Sequence, residues 1–407
     1  MAGEFKGDFT RDTFYAFRHY CGVFQQQGRV SLDADGNEQA SILVNLLRSV
    51  GKDVLADGDA PASDQFQLMP LNIPPGTATE RDFAVSPGHV YVDGVLCILN
   101  GSKIPFTVGG AGSTQINVSQ WLVDGIPYLQ NQYVRALGVN IDGSPDTIFN
   151  QFIITVADAA SRTLTLKPAL NPTGAASGYR IARLPTFMHQ PDYVPTAEEV
   201  QALTGVNADG ALLVYLDAWE RHVSYVQNPW IREVALGGPD TCVRSQLVAQ
   251  IKIAHDLNLP ASELEKETLP VLKSVLEDRY QPYNRGWLRA RLKPVDTGSA
   301  DPCMCHPDAR FRGSENQLYR VEIHQPGQAA PPGITTPAAA PASGSNSTFK
   351  WSRNNGCDVY PVITVSGTQV QLESIGRDER SYLKSGDWVE LLDDILVGQG
   401  KPVLQAR

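Results

Sequence analysis

Apolar residues recur at helical spacing in only a few stretches of this chain, and alternate with polar ones through most of the rest. Ile42, Leu43, Leu46, Leu47 and Val50 fall on one helical face. Asp33 or Asp35 can cap the start and Gly51 can stop it, so the spacing predicts a helix over about residues 35–50. Leu264, Leu269, Val271, Leu272, Val275 and Leu276 repeat the period with Pro270 interrupting, which predicts one or two short helices over 264–280. Between Phe83 and Leu99, two β-branched runs flank Asp93-Gly94, the dipeptide that supplies positive φ to a tight hairpin turn. Residues 104–186 alternate short strands (Gln151 to Val156, Thr163 to Lys167) with turn signals at Asp124-Gly125, Asp142-Gly143 and Asn171-Pro172. That pattern predicts a compact all-β module, a small barrel or sandwich, set into a larger frame.

Ala211 to Glu220 places Leu212, Val214 and Leu216 on one side and Leu213, Tyr215 and Trp219 on the other, predicting a strand buried on both faces. From Cys242 to His255, Val243, Leu247, Ala249, Ile251 and Ile253 alternate with Arg244, Gln246, Gln250 and Lys252, which predicts one wet face. Leu318 to His324 reads with Tyr319, Val321 and Ile323 inward and Arg320, Glu322 and His324 outward. Strands resume at 349–353, at 362–372 with a turn at Ser366-Gly367, and at 387–391, after a low-complexity stretch that predicts a mobile loop. The expected fold is mainly β with a few helices, in several β-sandwich- or barrel-like modules behind an N-terminal arm and helix. Its expected divisions are a docking arm and helix (1–56), a main β-rich domain (57–103, 187–324 and 348–407), an inserted β domain (104–186) and a Pro/Ala/Ser-rich loop (325–347).

At 407 residues the chain is long enough for two or three domains with real cores. Its net charge of -10, with no basic run, argues against nucleic acid or anionic membrane surfaces as partners. The opening residues lack a signal-peptide layout and no apolar stretch is long enough to span a bilayer, so a soluble protein made in the cytosol is expected. Six scattered cysteines do not read as a disulfide framework, and mostly buried thiols are expected.

Cys303, Cys305 and His306 are the best metal candidates, since thiolate and imidazole are zinc ligands, but the spacing is short and no second pair follows. The Asp33-Ala-Asp35-Gly-Asn37 string hints at a calcium loop, yet Glu38 stands where the tight turn needs glycine. Asp217 and Glu220 are the nearest approach to a carboxylate dyad, and no assembled catalytic constellation is present, so neither an enzyme nor a cofactor is expected.

Aromatics and arginines concentrate in three blocks containing Trp219 and Arg221, Arg312 and Tyr319, and Trp351 and Arg353. These residue types dominate interface hot spots; equally, they can serve cross-strand ion pairs such as Arg320 or Arg353 with Glu322. The polar opening, with Phe9, Arg11, Phe14, Gln26, Arg29, Asp33 and Asp35, adds to the expected partner-binding residues.

Lys6-Gly-Asp-Phe-Thr-Arg-Asp-Thr-Phe14, Gln26-Gln-Gly-Arg-Val30, Tyr91-Val-Asp-Gly-Val95, His189-Gln-Pro-Asp-Tyr193, Tyr215-Leu-Asp-Ala-Trp-Glu-Arg221, Glu315 to His324 and Phe349-Lys-Trp-Ser-Arg-Asn-Asn-Gly356 stand in order along the chain. Together they resemble a bacterial family catalogued as a domain of unknown function. Its members are often encoded among sheath, tube, spike and baseplate components of phage-tail-like contractile injection systems. Relatives usually carry tryptophan at the position of Gly36, and 104–186 looks like an insertion. The resemblance implies no catalytic residues. It implies a structural, baseplate-associated accessory, cage or extension protein, present in several copies beside other baseplate, spike and sheath subunits, in the bacterial cytoplasm as part of an assembled particle. The alternative is a peripheral receptor- or glycan-binding module using Trp121, Tyr128 and Tyr133, with Asp124, Gln130 and Asn131 alongside.

Overall fold

A computed structural model describes residues 5–55, 58, 66–71, 81–108, 113–139, 145–170, 178–205, 212–237, 240–255, 269–280, 286, 288, 318–325, 327, 347–376, 381–399 and 404–406. The chain is mainly β with a few helices, as its alternating pattern predicts. It divides into two compact units, the first built from 1–45, 221–246 and 275–385, the second from 46–220, 247–274 and 386–407.

In the second unit, β1 (Leu68–Pro70) pairs with β2 (Phe83–Val85), and β3 (Gly88–Val92) with β4 (Val95–Leu99). Asp93 and Gly94, at φ 50° and 76°, form the expected left-handed turn. The helix α1 (Asp33–Val54) is longer than its predicted span, and its last turns lie on this hairpin. A Cβ at Gly94 would collide with the Arg48 carbonyl and come within 2.6 Å of the Lys52 nitrogen; one at Gly51 would stand 2.8 Å from the Gly94 carbonyl oxygen. Gly51 therefore does not stop the helix. Its missing side chain lets helix and turn backbones touch.

The strands β5 (Ile104–Val108), β6 (Ser113–Val118), β9 (Tyr133–Val139), β10 (Pro145–Asp158), β11 (Thr163–Leu170) and β12 (Gly178–Arg183) close a barrel in the order β10-β11-β6-β5-β12-β9. Alternate side chains, among them Phe106, Ile116, Phe152, Ile154, Leu164, Leu166 and Ile181, fill its interior, and closure removes the sheet edges that would otherwise invite pairing. A short hairpin of β7 (Leu122–Val123) and β8 (Ile126–Pro127) precedes β9, turning at Asp124-Gly125.

The helix α2 (Ala197–Gly205) starts with a capping box. The Thr196 hydroxyl accepts from the Glu199 N–H (3.2 Å), and the Glu199 carboxylate accepts from the Thr196 N–H (2.9 Å). Glu199 is buried and also accepts from the Tyr193 hydroxyl and the Ile253 N–H. The strands β13 (Val214–Val223) and β14 (Arg244–Ile253) form a two-stranded sheet. With one strand neighbour among the described residues, β13 is half-buried along nearly all its length rather than doubly buried. Gln250, expected on a wet face, is buried with Val248, Ile251 and Ile253, because β14 is covered on both sides over its second half. In α3 (Leu269–Tyr280), Pro270 sits in the first turn, where its missing N–H breaks no helical bond.

The remaining strands form three two-stranded ladders: β15 (Arg320–Gln325) with β16 (Thr348–Ser352), β17 (Val362–Ser366) with β18 (Gln369–Leu372), and β19 (Val389–Leu391) with β20 (Leu404–Ala406). Between β19 and β20 lies α4 (Asp394–Gly398), capped by the Asp393 carboxylate, which accepts from the Ile395 and Leu396 N–H groups.

The clustered apolar cores lie in the second unit. Among the described residues of the first unit, the buried apolar side chains are only Ala34, Ile42, Val223 and Ile231.

Candidate docking site

The N-terminal arm belongs to the first unit and is tied down, not projecting. The Thr10 N–H donates to Asp33 Oδ2 (2.9 Å) and its hydroxyl to Oδ1; the Thr13 hydroxyl donates to Glu38 (2.6 Å); the Val23 N–H donates to Gln39 Oε1 (2.7 Å). Burial works against charge on Asp33, but the Thr10 bonds and the N–H groups of the helix start outweigh it and hold the carboxyl below its usual range. Asp33 therefore holds the arm of its own chain while its side chain stays exposed. Phe9 is half-buried, and the space over buried Gly7 is taken by its ring. Phe14 and Asp35 are also half-buried, while Arg11, Gln26 and Arg29 are exposed. The side chains most displayed by the arm, Phe17 (72% exposed), Phe24 (89%) and Val30 (84%), were not among the expected contacts. Their signal is visible afterwards: they are large apolar residues in a segment with no periodic face to bury them.

The start of the arm is clasped from the far end of the sequence. Asn354, Asn355 and Gly356 adopt three successive left-handed conformations, φ 49°, 54° and 70°, which Asn and Gly tolerate best. This turn aims the buried Asn355 side chain at the Phe5 carbonyl (2.8 Å), while the Asn355 N–H donates to the Leu318 carbonyl (2.8 Å). Asn355→Ala should lower stability by about 2 kcal/mol, from a lost buried hydrogen bond and a disfavoured left-handed residue. Chemical denaturation of the purified protein measures this.

The hairpin β15–β16 is inverted relative to the sequence expectation. Tyr319, Val321 and Ile323 are exposed, as are Phe349 and Trp351 opposite them, and the Tyr319 and Trp351 rings lie 5.8 Å apart. The charged face is the inner one, where Glu322 pairs with Arg320 (3.0 Å) and, across the ladder, with Lys350 (3.8 Å). The cross-strand ion pair is thus made by Lys350, while Arg320 pairs with Glu322 along its own strand and Arg353 is exposed. The aromatic reading is realised on the opposite face. Charges turn inward because each finds a partner there, whereas alternation alone cannot say which face is covered.

Acidification should loosen this cluster. Burial raises the Glu322 pKa, but the Arg320 hydrogen bond and the Arg320, Lys350 and Lys6 charges outweigh it, so the carboxyl sits below its ordinary 4.5. His222, whose ring lies 6.2 Å from that of Phe5, is held below its ordinary 6.5 by burial first and then by Lys6 and Arg320. Both folded values are depressed, so each group stabilises fully above its unfolded value and loses that contribution as pH falls through the folded one. Melting temperature should therefore fall in two steps, the first beginning below pH 6.5 and the second below 4.5. His222→Gln should remove the first step only; an unchanged profile in this variant would discard the assignment.

Trp219 and Arg221 are half-buried, the latter donating to Gln246 Oε1 at 2.8 Å. Arg312 and the zinc candidates Cys303, Cys305 and His306 lie outside the described residues, as does most of the low-complexity stretch. Of the described cysteines, Cys97 is buried, Cys357 half-buried, and Cys21 and Cys242 exposed, which corrects the expectation of mostly buried thiols. Asp217 and Glu220 are held in separate ion pairs, with Lys252 at 2.7 Å and with Arg48. Tyr128 and Tyr133 are core residues, so they are not available as the glycan-stacking rings expected of them. Tyr128 lies inside the barrel against Trp121 and under the Arg183 guanidinium. In His189-Gln-Pro-Asp-Tyr193, the Gln190 amide bonds both the Ile251 N–H and carbonyl at 2.7 Å, standing in for a neighbouring strand.

Residues 5–110, 184–268 and 260–406 match a family of unknown function, DUF6519. The chain belongs to that family. Residues 111–183, which the match leaves out, contain five of the six barrel strands, while β5 lies within it. The clasp at Asn355, the inverted hairpin and the anchored arm all fall within the matched residues. No curated protein matches the chain significantly. Among the described residues, no helix is long and apolar enough to cross a membrane.

Proposed function

We propose that this protein is a structural subunit of a phage-tail-like contractile injection particle, a baseplate-associated accessory, cage or extension component held by the outward apolar faces of its first unit. One observation carries the docking role. In that unit Phe17, Phe24, Val30, Leu43, Trp230, Val234, Phe349 and Trp351 are all at least half exposed, whereas buried apolar residues are few. Exposed apolar surface on this scale costs solubility unless another molecule covers it. The particle itself is inferred from the ordered motifs that resemble proteins encoded beside sheath, tube and spike components.

The arm suits a grip because its anchors and its display are separate. Thr10, Thr13 and Val23 fasten it to α1, while Phe17 and Phe24 stand clear. A fixed arm loses little conformational entropy on docking, so its ring contacts translate efficiently into affinity. A cryo-EM map of the intact particle tests the proposal. Density for this chain around the baseplate, with the first unit facing a neighbour, is the expected result; particles complete without it would refute the role.

A further inference from the structure

We infer that Lys252 and Asp217 condense to an amide, so that the folded chain cross-links β13 to β14 through their side chains without the help of another enzyme. This goes beyond the docking role and does not depend on it. Lys252 Nζ lies 2.7 Å from Asp217 Oδ2, amine against carboxylate on the two paired strands of one sheet. The side chains are 16% and 23% exposed, so most of the pair is out of water. Tyr193 covers it, with its ring centroid 4.9 Å from Nζ. That ring is itself fixed, because the Tyr193 hydroxyl donates to the buried Glu199 carboxylate, which the Thr196 and Ile253 N–H groups also hold. Among the described residues, neither Lys252 nor Asp217 has a second ion-pair or side-chain hydrogen-bond partner. Nothing there competes with the carboxylate for the amine.

In open water such a pair stays ionic, because both charges are well solvated. Removing water penalises the ions more than the neutral amine and acid, which one proton passing along the 2.7 Å contact from Nζ to Oδ2 produces. The neutral Nζ then attacks Cγ and the Nζ–Cγ bond forms. A second Nζ proton goes to the departing hydroxyl, the Cγ–O bond breaks, and one water leaves. The amide keeps the last Nζ hydrogen, and the step consumes no oxidant, nucleotide or metal. Holding reactants in contact is worth an effective concentration on the order of 10⁵ M or more when they are well oriented, which offsets the cost of condensation in dilute water. The product also suits the sheet: two strands alone are marginally stable, and the new bond fastens β13 to β14.

Intact-mass spectrometry of the purified full chain under denaturing conditions is the test. Wild type should weigh less than its sequence by one water, and a tryptic digest should contain a branched peptide that joins Asp217 to Lys252 and is uncleaved after Lys252. D217A and K252A should each keep the full sequence mass. Wild type at full sequence mass would overturn the inference, and that reading needs no variant to fold. A water lost equally from D217A would also overturn it, by placing the loss elsewhere, as in a succinimide at Asp93-Gly94. A branched peptide that joins Lys252 to any other carboxylate would do the same.

Discussion

Replacing Phe17 and Phe24 together by aspartate should leave the protein folded and remove it from assembled particles. Both rings are largely in water, 72% and 89% exposed, so the folded chain loses little packing when they go. Substitutions at such sites usually change stability by no more than about 0.5 kcal/mol. In a docked state the same rings would be covered, and truncating a buried aromatic anchor typically costs about 2 kcal/mol or more. Two lost anchors therefore amount to about 4 kcal/mol, or roughly a thousandfold weaker docking, before the cost of burying two carboxylates is added. Quantitative mass spectrometry of purified particles, with thermal melting of the isolated variant as control, reads both halves. Wild-type occupancy by the variant would show that the arm is not the grip.

The second large effect is expected at Gly94. Gly94→Ala should destabilise the second unit by about 3 kcal/mol, through a left-handed φ of 76° and a Cβ forced against helix backbone at Arg48 and Lys52. Because the obstacle is main chain, no rotamer change relieves it; the helix must shift off the hairpin. Gly36→Ala provides the contrast. Gly36 lies in the same helix with nothing within 4 Å of its Cβ position, and its φ is not left-handed. That substitution should stabilise by about 0.5–1 kcal/mol, since glycine is the poorer helix former. Denaturant midpoints of the two variants test the pair, and equal effects would contradict the close approach of helix and hairpin.

The same contact explains why α1 carries a glycine at position 51 and runs on past it. Gly51 read in isolation is a stop signal, yet here it is a spacer, and only the neighbouring turn distinguishes the two uses. Similarly, Asn354-Asn355-Gly356 is recognisable as a string able to turn left-handed, while its role as the clasp on Phe5 depends on a partner 350 positions away. Of the expected contact residues, Arg11, Gln26, Arg29, Asp33, Tyr319, Trp351 and Arg353 are exposed, Asp33 also holding Thr10, while Phe9 is half-buried against Gly7.

Local pattern determined the elements: the Asp93-Gly94 hairpin, the helix carrying Ile42, the alternating strands of a small β module at 104–186, and the paired ladders near the end of the chain. These depend on backbone preferences and on periods of two or 3.6 residues, both carried by neighbours in sequence. Only the tertiary structure decided which side of each element is covered. Alternation along β15 separates Arg320 and Glu322 from Tyr319, Val321 and Ile323, but it is symmetric with respect to inside and outside. Lys350 and Lys6 break that symmetry, and they arrive from other parts of the chain. The apolar face of this hairpin is left in water because those long-range charges cover the other one.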